Sequence, residues 1–234
     1  MTINHLLHRP HLQHTFFALR HGQSLANVAK IISSDPAIST VQHGLSEKGK
    51  EQAVSAGEDF AKSYLDTTTK TNSEECYEGV AIFSSDFTRA RETAQLFTSQ
   101  LTKYQIPIYT NQVVIQTSLR ERYFGELNGG PDDQYQSVWD VDCKDADHME
   151  FGVESANGVL ERTTRLVSEI DDLLSTATTT ASGDEGKKKW KVVLVAHGDV
   201  LQIMQTGFLR HEDAKRHRSL EHLETATIRE LILA

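Results

Sequence analysis

Two short apolar runs near opposite ends of this 234-residue chain each stop at a His-Gly pair. Residues 15–19 lead into Arg20-His21-Gly22, and residues 190–196 lead into His197-Gly198. Apolar runs of this length, bounded by glycine, predict buried strands that end in tight turns. A strand followed by a tight turn occurs near each end of the chain. This constrains the fold, because one structure must contain both strands and both turns.

Further strand and helix patterns lie between these two runs. Residues 80–83 form another short apolar run, and helical spacing appears over about residues 46–60, 87–103, 155–174 and 198–209. Ser46 is placed as the N-cap of the first of these helices. Residues 225–233 predict a final strand. Strands that alternate with helices predict an α/β domain with a mostly parallel sheet.

We find no internal repeat and no domain boundary in the sequence. Residues 15–234 are therefore expected to form a single domain, with an acidic insert at about residues 126–153 whose core, residues 131–150, has an irregular pattern. The polar segments 67–78 and 176–189 are predicted to be loops. Residues 1–14, which are rich in histidine and interrupted by Pro10, are predicted to be a disordered extension.

The charge balance excludes several classes of protein. The chain has 24 Lys and Arg residues against 33 Asp and Glu, a formal net charge of −9, whereas nucleic-acid binding requires a basic footprint.

No apolar run approaches the length of a membrane span, and residues 1–14 lack the pattern of a secretory signal. Two distant cysteines, Cys76 and Cys143, are expected to be reduced thiols. We therefore expect a cytoplasmic protein with no nucleic-acid or membrane partner.

Parallel strands deliver the residues that follow them to one edge of the sheet, where ligands of α/β proteins bind. His21 and His197 are expected to meet there, together with Arg20. Residues 84–90 follow the strand at 80–83, and they bring Arg89 to the same edge. Glycines at the starts of the next helices leave backbone amides free for an anion. Two arginines and two histidines at such an edge suit a phosphoryl group.

A histidine nitrogen can attack phosphorus, and the leaving alkoxide then needs a proton. Glu121, which follows an extended segment, is the favoured donor. The sequence leaves Glu126, Asp86 and Asp199 as alternative carboxylates near the same edge.

Five groups of residues resemble, in order, the motifs of the histidine phosphatase superfamily, also called the phosphoglycerate mutase-like family. They are Arg20-His21-Gly22-Gln23-Ser24 with Asn27, Gly44-Leu45-Ser46 with Gly49 and Gln52-Ala53, Ser84-Ser85-Asp86 with Arg89-Ala90 and Thr93-Ala94, Leu119-Arg120-Glu121-Arg122 with Gly125, and Val195-Ala196-His197-Gly198. The resemblance covers about residues 15–207. It implies a three-layer α/β/α sandwich of the phosphoglycerate mutase-like type.

The resemblance also implies roles for individual residues. His21 would be the nucleophile that becomes phosphorylated, and Glu121 the proton donor that later activates water. The phosphoryl group would be held by a set of phosphate-binding residues: Arg20, Asn27, Arg89, His197 and Gly198. Gln23 and Ser24 would support them. No metal and no cofactor is implied.

The insert favours a hydrolase over a glycolytic mutase. Between Pro131 and Glu150 it carries seven acidic residues and a single lysine, Lys144, so it would repel a second phosphate if it lies over the pocket. We therefore expect a metal-independent phosphomonoester hydrolase acting on a small phosphorylated metabolite. A basic segment at residues 210–218 is expected to pair with the insert, the alternative being a second anion site.

Three other functions remain open from the sequence. The first is a phosphoglycerate mutase, and the second is a fructose-2,6-bisphosphatase-like enzyme. Of all the alternatives, only the mutase would need a 2,3-bisphosphoglycerate primer. The third is a phosphate-binding regulatory module without catalysis. The sequence makes no prediction of oligomeric state.

Overall fold

A sheet of five strands lies at the centre of the computed structural model, which describes residues 3–69, 77–179 and 189–234. The strands are β1 (Thr15–Arg20), β2 (Tyr77–Ser84), β3 (Val114–Ile115), β4 (Lys189–Ala196) and β5 (Ile228–Leu231). Their order is β3-β2-β4-β1-β5. Only β5 is antiparallel to its neighbour, and the other pairs are parallel. The predicted α/β fold with a mostly parallel sheet is confirmed.

Seven α-helices surround the sheet in the described ranges: α1 (Leu25–Ala29), α2 (Pro36–Ser39), α3 (Glu47–Thr69), α4 (Thr88–Lys103), α5 (Tyr135–Asp142), α6 (Ala156–Thr179) and α7 (Gly198–Phe208). The Ser46 hydroxyl accepts the amide of Gly49 at 3.1 Å, which confirms it as the N-cap of α3. Nowhere in the described ranges is a helix both long and apolar enough to cross a bilayer.

Strand β4 shows why helices cover both faces of the sheet. Its side chains are apolar at almost every position, and alternate residues point to opposite faces. Val192 and Leu194 pack in a cluster with residues of α6 and α7, whereas Val193 and Val195 pack in a second cluster with residues of α3 and α4. The result is the predicted three-layer sandwich.

The two predicted polar loops are shorter than the sequence indicated. Helix α3 continues to Thr69 and helix α6 continues to Thr179. Residues 77–78 and 189, also predicted to be loop, belong to β2 and β4. Residues 70–76 and 180–188 lie outside the described residues, as does Cys76.

The prediction of a disordered N-terminal extension is wrong for residues 3–14. Leu6 is fully buried in the core cluster that contains α6 and α7. The Asn4 amide donates to the carbonyls of Gly207, at 3.1 Å, and His211, at 2.8 Å. Arg9 pairs with Asp171 at 2.7 Å. A single buried leucine and these polar contacts fix the segment, and neither produces a periodic sequence pattern.

The acidic insert is likewise more ordered than predicted. It contains α5, whose Val138 is fully buried against Phe124, Val153 and Ile32 in a third apolar cluster. The segment 131–150 is therefore not irregular throughout, because a short helix with one buried face anchors it to the domain.

Candidate active site

The ends of β1 and β4 bring the two predicted histidines together. The strands are parallel neighbours, and the backbone amide of His21 donates to the carbonyl of Ala196 at 3.0 Å. The imidazole rings of His21 and His197 lie 5.1 Å apart, at an angle of 63°. Both residues are buried. The third strand end contributes Ser85, whose hydroxyl lies 3.0 Å from Nε2 of His197.

Two neighbours fix the protonation of the His21 ring. Nδ1 lies 2.7 Å from the carbonyl oxygen of Gly22, which can only accept a hydrogen bond, so Nδ1 carries the proton. Nε2 accepts a hydrogen bond from Nε of Arg89 at 3.1 Å. Burial, with the charges of Arg89 and Arg20, lowers the pKa of His21 well below its usual value. The ring is therefore neutral, with its lone pair on Nε2.

Arg89 is buried, and within the described residues its hydrogen-bond partners include no carboxylate. Its Nη2 donates to the carbonyl of Ser33 at 2.9 Å and its Nε to His21, but Nη1 has no partner among the described residues. Burial lowers the pKa of Arg89 from its usual value. A buried guanidinium with a spare donor is suited to an anion.

Arg20 and His197 also present nitrogens that nothing in the described chain satisfies. Arg20 donates from Nη1 to the carbonyl of Leu223 at 2.8 Å and contacts Nε2 of His222 at 2.6 Å, which leaves its Nε without a partner. Nδ1 of His197 is also unpartnered. Together with Arg89, these residues leave three buried nitrogens around His21 that the oxygens of a phosphoryl group could satisfy.

Gly198 has no side chain, and this leaves room for the side chains of Arg20 and His222. A Cβ atom at this position would lie 3.2 Å from Cζ of Arg20 and 3.1 Å from Cε1 of His222. Glycine therefore lets the Arg20 guanidinium approach the start of α7. Direct binding of phosphate by the Gly198 amide remains a prediction.

The loop after β1 holds the predicted supporting residues. Ser24 and Asn27 form a capping box at the start of α1, in which Oδ1 of Asn27 accepts the Ser24 amide at 3.0 Å. The Gln23 side chain accepts a hydrogen bond from Ser46 at 2.8 Å. These contacts give Gln23 and Ser24 structural roles. The exposed Asn27 has its oxygen engaged, and its role as a phosphate ligand remains a prediction.

Glu121 has the protonation behaviour of an acid. Its carboxylate accepts the backbone amide of Arg122 at 3.0 Å. Burial and the charge of Asp199 raise the pKa of Glu121 to about 7, although Arg89 and Arg20 oppose that rise. The two arginines that act on Glu121 are also the two that act on His21.

The alternative carboxylates are less suited to donate a proton. Asp86 accepts two hydrogen bonds from Arg120, at 2.8 and 2.6 Å, so both of its oxygens are engaged. Glu126 is exposed. Asp199 is buried, and its carboxylate accepts the indole N–H of Trp139 at 3.0 Å. The role of Glu121 as the proton donor remains a prediction, supported by its raised pKa.

Sequence reasoning missed two residues of the site, Tyr135 and His222. Tyr135 begins α5, and its ring packs edge-on to Phe124 and parallel to Trp139, with centroids 4.7 and 5.5 Å away. Burial and Glu121 raise its pKa. Neither residue belongs to a motif, and only a helical pattern in the insert would have drawn attention to Tyr135.

The acidic insert is less uniform than its composition suggested. Six of its seven acidic residues are exposed, but Asp142 is fully buried and pairs with Arg122 at 2.6 Å. Arg218 from the basic segment stacks on Trp139 of the insert, with Cζ 3.6 Å from the ring centroid. The segment therefore contacts the insert through an aromatic ring and through His217, whose Nε2 lies 3.6 Å from Oδ2 of Asp142.

Comparison with known proteins identifies the family of this chain. The family model described as histidine phosphatase superfamily (branch 1) matches residues 16–233. The chain belongs to the histidine phosphatase superfamily. Within the described residues, His, Cys, Asp and Glu side chains form no group of three that could hold a metal ion.

Similar members of the superfamily include both mutases and phosphatases. A 2,3-bisphosphoglycerate-dependent phosphoglycerate mutase of Bartonella quintana is 26% identical over 146 residues, 62% of this chain and 59% of the mutase. The chain thus matches about three-fifths of the length of that relative. A solved structure described as mycobacterial hydrolase 1 is 25% identical, with a TM-score of 0.67 over 93% of this chain and 88% of the other.

A mycobacterial glucosyl-3-phosphoglycerate phosphatase, solved in complex with VO3, is similar to the same degree. It is 25% identical with a TM-score of 0.67, and the match covers 93% of this chain and 90% of the phosphatase.

Proposed function

We propose that this chain is a metal-independent phosphomonoester hydrolase that works through a phosphohistidine on His21. The observation that carries the proposal is the hydrogen bond from Arg89 to Nε2 of His21. It places the lone pair of a neutral imidazole beside a guanidinium that has a spare donor. A nucleophile and an anion-binding group therefore meet at one point.

The first step transfers the phosphoryl group to the enzyme. Nε2 of His21 forms a bond to phosphorus while the bond from phosphorus to the leaving oxygen breaks. Glu121 gives its proton to that oxygen. Arg20, Arg89 and His197 donate to the phosphoryl oxygens, on which negative charge is spread in the transition state.

The second step releases phosphate. The Glu121 carboxylate takes a proton from a water molecule whose oxygen attacks phosphorus, and the bond from phosphorus to His21 breaks. Inorganic phosphate leaves, and Glu121 and His21 return to their starting states. The scheme uses only groups of this chain.

Two features support a hydrolase over a mutase. Six exposed carboxylates lie on the insert that carries Tyr135 to the site, and they disfavour a ligand with a second phosphate. A structural neighbour that spans 93% of the chain is a phosphatase. The substrate we propose is a small phosphorylated metabolite, and sugar phosphates and phosphoglycerates are the first compounds to screen.

The direct test is turnover of an aryl phosphate by the wild-type protein and by His21→Ala. We expect the substitution to lower kcat at least about 10³-fold, because the nucleophile is lost, while the circular dichroism spectrum stays unchanged. Undiminished turnover in the variant would contradict the assignment.

The mutase alternative is favoured by the named function of the Bartonella relatives. Product analysis with 3-phosphoglycerate, with and without the bisphosphoglycerate primer, separates the two activities. We expect free phosphate and no 2-phosphoglycerate.

Release of phosphate from position 2 of fructose 2,6-bisphosphate would favour the bisphosphatase alternative. Tight vanadate binding without turnover at any pH would favour a regulatory module.

A further inference from the structure

The chain segment just before β5 lies against Arg20. The backbone amide of Arg20 donates to the carbonyl of Thr227 at 3.2 Å, and the amide of Ala226 donates to the carbonyl of Arg20 at 3.1 Å. The Arg20 side chain contacts the same segment twice through Nη1, at the carbonyl of Leu223, 2.8 Å away, and at Nε2 of His222, 2.6 Å away. This segment therefore fixes both the backbone and the guanidinium of Arg20.

The two side-chain contacts determine which part of the guanidinium is left for a ligand. Nη1 of Arg20 carries two hydrogens, and its two acceptors use both of them. The Nε and Nη2 atoms form the side edge of the planar group, where two parallel N–H donors match two oxygens of a phosphoryl group. Nε is buried and has no partner within the described ranges. Anchoring of Nη1 thus leaves the edge that suits a phosphoryl group.

The contact with Arg20 sets the tautomer of His222. A guanidinium can only donate, so Nε2 of His222 accepts and its ring proton lies on Nδ1. Nδ1 is buried and has no partner in the part of the chain that the structure describes. Burial and the charge of Arg20 lower the pKa of His222. Arg218 acts in the same direction, whereas Glu224 and Asp199 oppose it. The ring is therefore neutral near pH 7 and can accept.

Both sides of the fold hold His222 in place. At the start of α7, a Cβ atom on Gly198 would lie only 3.1 Å from Cε1 of the His222 ring, so the ring packs against the backbone there. Arg229 on β5 donates to the carbonyls of Glu221, at 2.9 Å, and of His222, at 3.4 Å. The same guanidinium donates to Oε1 of Gln205 on α7 at 2.8 Å. The acceptor for Arg20 is thus itself fixed.

We propose that His222 is a positioning residue for Arg20: its Nε2 accepts from Nη1 and holds the guanidinium with its Nε–Nη2 edge towards the phosphoryl group. The role rests on the proposed function, in which Arg20 binds that group. With the Leu223 carbonyl alone, Nη1 would keep one hydrogen bond, about which the guanidinium could swing. Two acceptors order the group before the anion arrives, which lowers the entropy lost on binding.

Substitutions at His222 separate the acceptor from the bulk of the side chain. His222→Leu removes the acceptor, whereas His222→Gln places an amide oxygen at about the reach of Nε2. Binding of inorganic phosphate, measured by titration calorimetry at constant pH, should weaken about tenfold in His222→Leu and less than about threefold in His222→Gln. His211→Leu, at a half-buried histidine of the basic segment, is the matched control and should bind phosphate as the wild type does.

A double-mutant cycle tests whether His222 acts through Arg20. Arg20→Met has no donor and should itself weaken phosphate binding. When His222→Leu is added to Arg20→Met, we expect a further loss of less than about twofold, because there is no guanidinium left to hold. A further loss of about tenfold would show that His222 acts by another route and would overturn the proposal.

The tautomer of His222 provides a readout that needs neither ligand nor turnover. Two-bond ¹H–¹⁵N nuclear magnetic resonance spectra of protein labelled at histidine distinguish the protonated ring nitrogen from the other one, and His222→Gln assigns the signals. We expect the proton on Nδ1 in the wild-type protein. A neutral ring with its proton on Nε2 would overturn the proposal, since that nitrogen could not accept from Arg20.

The outcomes for this role and for the proposed function are distinct. Equal phosphate affinity in the wild type and in His222→Leu would overturn the positioning role and leave the hydrolase intact. Equal losses in His222→Leu and His222→Gln would indicate packing rather than the acceptor, and would also overturn it. A wild-type protein that neither binds phosphate nor hydrolyses an aryl phosphate would contradict the proposed function and this role with it. Should His222→Leu fail to fold, His222→Phe, which also lacks an acceptor, must show the same loss.

Discussion

At the scale of single residues, the chemistry of the site depends on which nitrogen of His21 carries its proton. The Gly22 carbonyl can only accept a hydrogen bond and the Arg89 guanidinium can only donate one, so the proton lies on Nδ1 and the lone pair on Nε2. The motif could place His21 and Arg89 at one edge because parallel strands end together. It could not orient the imidazole, because that depends on the path of the backbone at Gly22.

Glu121→Gln tests the acid at the same scale. The amide is not acidic enough to protonate a leaving group, so kcat/KM, which reports the transfer of the phosphoryl group to His21, should fall about 10²- to 10⁴-fold for an alkyl phosphate and much less for a nitrophenyl phosphate. The basic limb of kcat/KM, which we place near pH 7 from the raised pKa of Glu121, should disappear in the variant. Activity in the wild type falls as pH rises through that value, because the acid form is lost.

The measurement is a set of pH profiles for both substrates with both proteins, so that titration of the substrate itself cancels. An equal loss for good and poor leaving groups would point to another acid.

At the scale of secondary-structure elements, the long strands and helices could be predicted and the short anchored segments could not. The apolar face of α6 repeats from Leu160 to Leu174, about four turns, so its existence followed from spacing alone. The N-terminal segment is held by Leu6 and by polar contacts of Asn4 with the end of α7. Helix α5 has a single fully buried apolar residue. Contacts of this kind join residues that are distant in sequence, and they leave no periodic signal.

Leu6→Ala tests whether the N-terminal segment belongs to the folded domain. The side chain is fully buried, so its truncation should lower the free energy of unfolding by about 2–5 kcal/mol. Chemical denaturation is the measurement, and His8→Ala, at an exposed position in the same segment, is the control. Equal stability of the two variants would mean that the segment is not part of the core.

At the scale of the whole molecule, a net charge of −9 coexists with two arginines and two histidines gathered at one edge of the sheet. The charge is local: Arg20 and Arg89 lie at one edge of the sheet, whereas many of the carboxylates are on exposed surfaces such as the insert. The acidic composition argues against a nucleic-acid partner, which stays a prediction, but it does not argue against phosphate. It also could not show that Asp142 is neutralised by a buried arginine, since partners of that kind appear only in the folded chain.

Neutralisation of exposed insert carboxylates tests their effect on ligand choice. In the triple variant Asp132→Asn, Asp133→Asn and Asp140→Asn, inhibition by 2,3-bisphosphoglycerate should strengthen about two- to fivefold at low salt, with a smaller change for inorganic phosphate. High salt should remove the difference. A control triple variant removes the exposed charges of Asp59, Asp66 and Glu169 on α3 and α6. If both variants bind the two ligands equally, the insert does not select against a second phosphate.

The most direct test of the central claim is detection of phosphate on His21 during turnover. The enzyme is mixed with excess aryl phosphate, quenched in alkali, where phosphohistidine persists, and digested for mass spectrometry. We predict a phosphorylated peptide containing His21 that is lost on acid treatment, is absent from His21→Ala and accumulates in Glu121→Gln with a good leaving group. Turnover by the wild-type protein with no label on His21, or with label on another residue, would contradict the account.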